Sequence, residues 1–64
     1  MINSVIKTQF GTVIVFDRRG CQIPKYQGEY QKVKDAVLKN APAGAMFSQE
    51  AADGKIQFVA RETW

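Results

Sequence analysis

Two adjacent arginines, Arg18 and Arg19, are the residues of this chain whose types and spacing best suit binding chemistry. A guanidinium group offers a planar fork of N–H donors, which matches a phosphate or a carboxylate through two parallel hydrogen bonds. Asp17 stands before the pair and Gly20 after it, an order typical of a type I turn, so we expect both side chains at an exposed tip. The full set of candidates for binding nucleic acid or another anion is Arg18, Arg19, Lys25, Lys32 and Lys39.

Charge is distributed unevenly along the chain. Residues 1–40 hold seven basic and three acidic side chains, a net charge of +4, whereas residues 41–64 hold two basic and three acidic side chains, a net charge of −1. A basic front half suits a phosphate backbone or an acidic partner. The same side chains also keep an exposed turn and a helix surface hydrated, and a total charge of only +3 favours this second interpretation.

Groups for catalysis or metal binding are scarce. The chain has no histidine and one cysteine, Cys21, which excludes an internal disulfide and a Cys/His zinc site within one chain. Most of the carboxylates fall in expected turns or exposed positions, and a domain with one thin core leaves little room for a concave pocket. We therefore predict a binding module, with no enzymatic activity, no metal and no cofactor.

The expected location is the cytoplasm. Small secreted domains usually rely on several disulfides, which a single cysteine cannot supply. The first seven residues lack the basic head, the long apolar middle and the small-residue cleavage site of a signal peptide. The longest apolar run, Val13 to Phe16, is far below the roughly 20 residues that a membrane-spanning helix needs.

The strand signals lie on both sides of one helical segment. Residues 5–9 and 12–16 are rich in β-branched and aromatic types, with Gly11 between them as either a hairpin turn or a bulge. Residues 21–23 predict a short strand that pairs back with residues 13–16 and ends at Pro24. Residues 45–50 and 55–61 predict a second hairpin around Asp53 and Gly54.

One helix is predicted between the hairpins, within residues 26–40. Its apolar residues recur at spacings of three and four and form one narrow stripe: Tyr30, Val33, Val37 and Ala41. Gly28 is the best available cap at the start, and Asn40, followed by Pro42, marks the end.

The predicted fold is a single α+β domain over residues 1–64. It has one small sheet of four or five mainly antiparallel strands with the helix packed on one face, in ββ(β)αββ order. In element order alone it is similar to β-grasp and protein G-like folds. No sequence motif of either group is present, so this likeness implies no function.

The helical stripe can cover only one face of the sheet, which leaves the other face for a partner. If Ile14, Phe16, Ile56 and Phe58 face the helix, the residues that point away from it become the candidates for a protein interface: Val5, Val13, Val15 and Val59. Lone valines on a hydrated sheet face are equally an ordinary consequence of strand propensity. A free sheet edge offers a partner a further place to bind.

Trp64 shares the parity of Phe58, so we expect it to pack under the helix against Tyr30, Val33 or Val37. The leading functional hypothesis is a small regulatory or adaptor protein that binds another protein or a second copy of itself. Nucleic-acid binding through the basic residues is the alternative. No membrane partner is expected.

Overall fold

The computed structural model describes residues 1–64 and contains one five-stranded sheet with one helix packed on it, which confirms the predicted α+β class. In chain order the elements are β1 (Ser4–Lys7), β2 (Thr12–Phe16), β3 (Gly28–Glu29), α1 (Tyr30–Asn40), β4 (Met46–Glu50) and β5 (Ile56–Val59), with 3-10 turns at Pro24–Tyr26 and Arg61–Thr63. The strands lie in the order β3-β2-β1-β4-β5. Only the β1–β4 pair is parallel, because α1 crosses over the sheet between β2 and β4.

The first two strands form a hairpin, and Gly11 lies in its turn. The N–H of Gly11 donates to the carbonyl of Thr8 at 3.0 Å, and the N–H of Thr8 donates to the carbonyl of Thr12 at 2.8 Å. Gly11 has φ +84°, a conformation that side chains disfavour and glycine adopts freely. Of the two alternatives for this glycine, the structure therefore shows the turn and not the bulge.

The segment between β2 and α1 differs from its prediction. Residues 21–23 form a single bridge, Phe16 with Gln22, and no strand. The third strand is Gly28–Glu29, two residues that we had placed in the helical segment. Pro24 starts a 3-10 turn, since its ring fixes φ near a helical value, and Gly28 has φ +133°, which no α-helix contains.

The helix consequently begins at Tyr30, whose N–H donates to the carbonyl of Gly11 at 2.8 Å. It ends at Asn40 as predicted, where the Asn40 side-chain amide donates to the Ala36 carbonyl at 2.7 Å. This helix has neither the length nor the apolar content that crossing a membrane requires.

The core lies between α1 and the sheet face that carries Val5, Val15 and Phe47, three residues aligned side by side by the strand register. Its fully or nearly buried members are Ile2, Val5, Val13, Val15, Val37, Ala41, Phe47 and Trp64. Burying each large apolar side chain contributes about 1.5–3 kcal/mol relative to leaving it exposed. This inner face, and not the opposite one, supplies most of the folding energy.

The predicted direction of the strand faces was wrong. Val5, Val13 and Val15 are completely buried under the helix, and Val59 packs partly buried against the same core, so none of the four forms an exposed patch. The prediction assumed that Phe58 and Ile56 face the helix, whereas they are 73% and 49% exposed. β5 ends at Val59, and the 3-10 turn Arg61–Thr63 redirects the chain, so the parity of Trp64 says nothing about β5.

Trp64 itself lies where it was predicted, only 3% exposed beneath the helix. Its ring meets that of Tyr30 edge-on at 5.2 Å between centroids and that of Phe47 at 5.0 Å. The indole N–H donates to the Ser48 carbonyl at 2.9 Å, and the Tyr30 hydroxyl donates to the Trp64 carbonyl. Both polar groups that this aromatic contact buries are therefore satisfied.

Candidate protein-binding face

The sheet face opposite the helix carries six apolar side chains, with Ser4 and Ser48 between them. Because side chains alternate along a strand, the residues between the buried ones point to this side. We call the set the outer face; its members are Ile6, Ile14, Phe16, Met46, Ile56 and Phe58. Strand register aligns Ile14 with Ile6, Ile6 with Ser48, and Ser48 with Phe58, so one row crosses four strands.

The side of the outer face near β5 is the more exposed. Phe58 is 73% exposed, Met46 50% and Ile56 49%, whereas Ile6 and Ile14 are half-buried by their neighbours. Phe58 and Met46 also line a groove of about 340 Å³ whose five lining residues are all apolar. An exposed large apolar cluster is more informative than a single exposed leucine, because a folded chain loses free energy by leaving it in water.

The outer face contains few polar groups that would oppose covering it. Ser48, in the middle of the apolar row, is itself buried, and its hydroxyl already donates to the Val5 carbonyl at 3.0 Å. The charged Glu50 stands at one end, where its carboxylate accepts the Gln9 N–H at 3.1 Å. A partner that covered the central row would therefore desolvate no unpaired charge.

The size of the outer face matches that of an interaction patch. Four strands about 4.8 Å apart give about 14 Å between the outermost strand axes, and five residues of strand extend about 17 Å. The area is therefore a few hundred Å² once side-chain widths are added. That is comparable to the largest apolar patches of monomeric proteins, which are often functional.

The two arginines of the sequence prediction lie on an ordered, exposed turn. The Gly20 N–H donates to the Asp17 carbonyl at 3.1 Å, which confirms the predicted turn. Asp17 Oδ1 accepts the N–H of Cys21 at 3.0 Å and that of Arg19 at 2.8 Å. These hydrogen bonds, that of Cys21 first, lower the pKa of the Asp17 carboxyl from its ordinary 3.8.

The five basic candidates do not gather on one surface. Lys32 lies in the first turn of α1, beside the Gly11 end of β2, whereas Arg18 and Arg19 follow the other end of the same strand. Five strand residues separate these ends by about 17 Å. Lys32 also forms an exposed ion pair with Glu29 at 3.4 Å.

The other two lysines occupy separate elements. Lys25 lies in the 3-10 turn, with its ammonium 5.6 Å from the centroid of the Tyr26 ring, and Lys39 lies in the last turn of α1. Because α1 leads into β4 at the Phe16 end of the sheet, Lys39 lies at the same end as the arginines.

A second, polar cavity of about 510 Å³ lies at the opposite end of the sheet, beside the turn of the first hairpin. Its ionisable lining residues are Lys7, Tyr30 and Glu50. The Lys7 ammonium lies 4.3 Å from the Tyr30 ring centroid, an arrangement that stabilises the charge against an aromatic face. The lining contains no cysteine, serine or histidine that could act as a nucleophile with its base. The absence of enzymatic activity stays a prediction.

Sequence reasoning predicted that one sheet face would be free, but assigned it the wrong residues. The outer-face residues Ile14, Phe16, Ile56 and Phe58 had been placed in the core. The alternation of side chains along a strand cannot show which face is buried here, because both faces of the sheet carry apolar residues. The position of Trp64 was derived from the assumed direction of Phe58, and the turn that precedes Trp64 has no clear sequence signature.

Three comparisons bear on relatives of this chain. A scan against protein-family models, a search of curated proteins and a search of solved structures each found no match. The outer face, the arginine turn and the polar cavity are thus known from this structure alone.

Proposed function

We propose that this chain is a small non-enzymatic regulatory or adaptor module of the cytoplasm that binds another protein through its outer face. One observation supports the proposal above the others. A row of side chains, apolar except for the buried Ser48, crosses four strands on the side that the helix does not cover, and it ends in Phe58, 73% exposed. Removing such surface from water yields about 25 cal/mol per Å².

The groove between Met46 and Phe58 suggests where a partner side chain would anchor. Its walls are apolar, and aromatic residues buried in such grooves are frequent among the few residues that carry most of the binding energy of a protein interface. The half-buried Ile6 and Ile14 would then add complementary surface around the anchor. The partner expected on these grounds presents an apolar patch with few charges at its centre.

A pull-down with the immobilised protein tests this proposal. The double variant Ile14→Gln, Met46→Gln replaces two outer-face residues that are not fully buried, so the fold should persist. We expect it to lose proteins that the wild type captures, because two polar amides would be desolvated in the interface. The matched control is Arg18→Ala, Arg19→Ala, which changes the surface elsewhere and should capture the same proteins as the wild type.

Circular dichroism of each variant establishes that it is folded. If the folded Ile14→Gln, Met46→Gln variant captures the same proteins in the same amounts as the wild type, the outer face is not the binding site. If the wild type captures no protein at micromolar concentration, the proposal of a partner protein fails as well.

Nucleic-acid binding is the second candidate, and the arginine turn favours it. Arg18 and Arg19 are exposed on a turn that the Asp17 carboxylate orders, with Lys39 at the same end of the domain. Binding of this kind would weaken steeply with salt, since each phosphate contact releases counterions. We expect measurable affinity for DNA or RNA at low salt, lost in Arg18→Ala, Arg19→Ala. An unchanged affinity in that variant would exclude the turn as the site.

A further inference from the structure

The two edges of the sheet are protected to very different degrees. β3 is only two residues long, contains the charged Glu29 and follows a 3-10 turn that starts with a proline. β5, at the other edge, has the sequence Ile56-Gln57-Phe58-Val59, with no charge, no proline and no residue of positive φ. Natural proteins usually block such an edge, because its unpaired backbone groups accept another strand.

The pairing of β5 with β4 determines which of its residues direct their backbone N–H and carbonyl groups toward the free edge. The Ala51 N–H donates to the Lys55 carbonyl at 2.8 Å, which makes these two residues a hydrogen-bonded pair. Such pairs alternate along an antiparallel ladder, so Gln57 and Val59 also direct their N–H and carbonyl groups toward β4. Ile56 and Phe58 therefore direct theirs toward the free edge.

We propose that β5 pairs antiparallel with β5 of a second copy of this chain, with the two-fold axis passing through Gln57. In this register Ile56 of each copy lies opposite Phe58 of the other. The two pairs form four hydrogen bonds and use all the backbone N–H and carbonyl groups that Ile56 and Phe58 present at the edge. The two five-stranded sheets become one continuous sheet.

Backbone hydrogen bonding selects this register over the neighbouring one with its axis at Phe58. With the axis at Gln57, every paired backbone group at the edge belongs to Ile56 or Phe58, and both residues lie within β5. An axis through Phe58 would pair Ile56 with Ala60, which lies beyond the end of β5 and whose carbonyl already accepts the Thr63 N–H at 3.0 Å.

The side chains favour the same pairing. Ile56 and Phe58 both point to the outer face. The Ile56 side chain of each copy therefore lies beside the Phe58 side chain of the other, and such apolar cross-strand pairs add stability. The two outer faces then join into one apolar surface across both copies. The inference rests on the proposed function in this respect, because the dimer would present a partner with a doubled outer face.

Disulfide cross-linking tests the register directly. The native Cys21 is exposed and would cross-link by itself, so it is first replaced by serine. Gln57→Cys then places two thiols on the two-fold axis in a non-hydrogen-bonded pair, with Cα atoms about 4.5 Å apart. That separation lies within the range that a disulfide spans. We expect this variant to form a covalent dimer under mild oxidation at micromolar concentration.

Lys55→Cys in the same background is the matched control. Lys55 is exposed, immediately precedes β5 and is two residues from Gln57, so it shares the direction of the Gln57 side chain. In the proposed register its counterpart is offset by four residues, about 13 Å, too far for a disulfide. Equal cross-linking of the two variants, preferential cross-linking of Lys55→Cys, or no cross-linking of Gln57→Cys would each overturn the proposal.

A charge variant provides an independent measurement by sedimentation. Gln57→Lys would set two ammonium groups against each other on the axis, and we expect the dissociation constant of the dimer to rise about tenfold or more. Gln57→Glu should behave in the same way, whereas Gln57→Asn should leave the dimer intact. A wild-type chain that sediments as a monomer at 100 micromolar or so contradicts the proposal, since a functional weak dimer would be populated there.

The proposal and the function on which it rests can fail separately. Ile14 and Met46 lie on β2 and β4, away from the edge, so Ile14→Gln, Met46→Gln combined with Gln57→Cys should still cross-link. Cross-linking without any loss of captured partners in the outer-face variant would remove the proposed function alone. Loss of partners without cross-linking would remove the dimer alone.

Discussion

The two faces of the sheet carry similar apolar residues but differ in how far these residues are buried. Val5, Val13 and Val15 on the inner face are completely buried, whereas Ile6 and Ile14, their neighbours in sequence, lie on the outer face and keep part of their surface in water. Both sets are β-branched and equally suited to strands. A single eleven-residue helix can cover only one of them. The difference shows that burial here is decided by where the helix packs and not by hydrophobicity.

The comparison also separates what holds the domain together from what remains available for binding. A chain of 64 residues buries only about 60% of its unfolded surface, so the inner face has little stability to spare. The outer face adds less to folding because water still reaches it. Variants of the inner face should therefore unfold the domain, and variants of the outer face should change its associations.

Replacing Trp64 should produce the largest loss of stability. Trp64→Ala removes an indole that is 3% exposed, two edge-on aromatic contacts and a hydrogen bond to the Ser48 carbonyl. We expect the free energy of unfolding to fall by about 3–5 kcal/mol, measured by urea denaturation. The matched control is Phe58→Ala, an exposed aromatic, for which the change should stay within about 0.5 kcal/mol. Equal losses would mean that the outer face belongs to the core.

Two adjacent residues of β2 test the comparison at a smaller scale. Val15→Ala deletes two fully buried methyl groups and leaves a cavity under the helix, for an expected loss of about 2 kcal/mol. Ile14→Ala deletes more atoms from the half-exposed outer face but should cost about 1 kcal/mol or less. Urea denaturation of both variants gives the order. A larger loss for Ile14→Ala would restore the face assignment that the sequence suggested.

The fold class was predictable because local signals agreed with each other. The structure confirms three turns that the sequence predicted at the ends of strands: at Gly11, at Asp17 with Gly20, and at Asp53 with Gly54. The helix period and its end at Asn40 were also readable. These features depend on a few neighbouring residues, so they survive whatever the tertiary arrangement is.

What could not be predicted depends on distant pairing. β3 is a two-residue strand that exists because Thr12 and Val13 lie opposite Glu29 and Gly28, and no local pattern marks it. The helix start was placed too early, since Gly28 was taken for a cap and not for part of a strand. The residues of the candidate site could not be predicted for a similar reason: a free apolar face was expected, but which residues form it depends on the side of the sheet that the helix covers.

The smallest expected effect is a pH dependence of the Asp17 turn, which follows the last residue of β2. Asp17 has a lowered pKa, so its ionised form favours the ordered turn above the ordinary value of 3.8, and this contribution disappears as the pH falls through the lowered value. In an acid titration followed by NMR, the amide signals of Arg19 and Cys21 should move together with a midpoint below 3.8, because both donate to the titrating oxygen. The amides of Ile14 and Val15 should not follow that midpoint, since the inner and outer faces are fixed by the ladder with β1 and not by this carboxylate. Asp17→Asn keeps an acceptor but removes the titration, so its Arg19 and Cys21 signals should stay constant over the same range. If the amide signals of Ile14 and Val15 titrated with Asp17, the turn would help to determine which side chains of β2 are buried. The Asp17 carboxylate, and not only the packing of the helix, would then decide which face of the strand is covered.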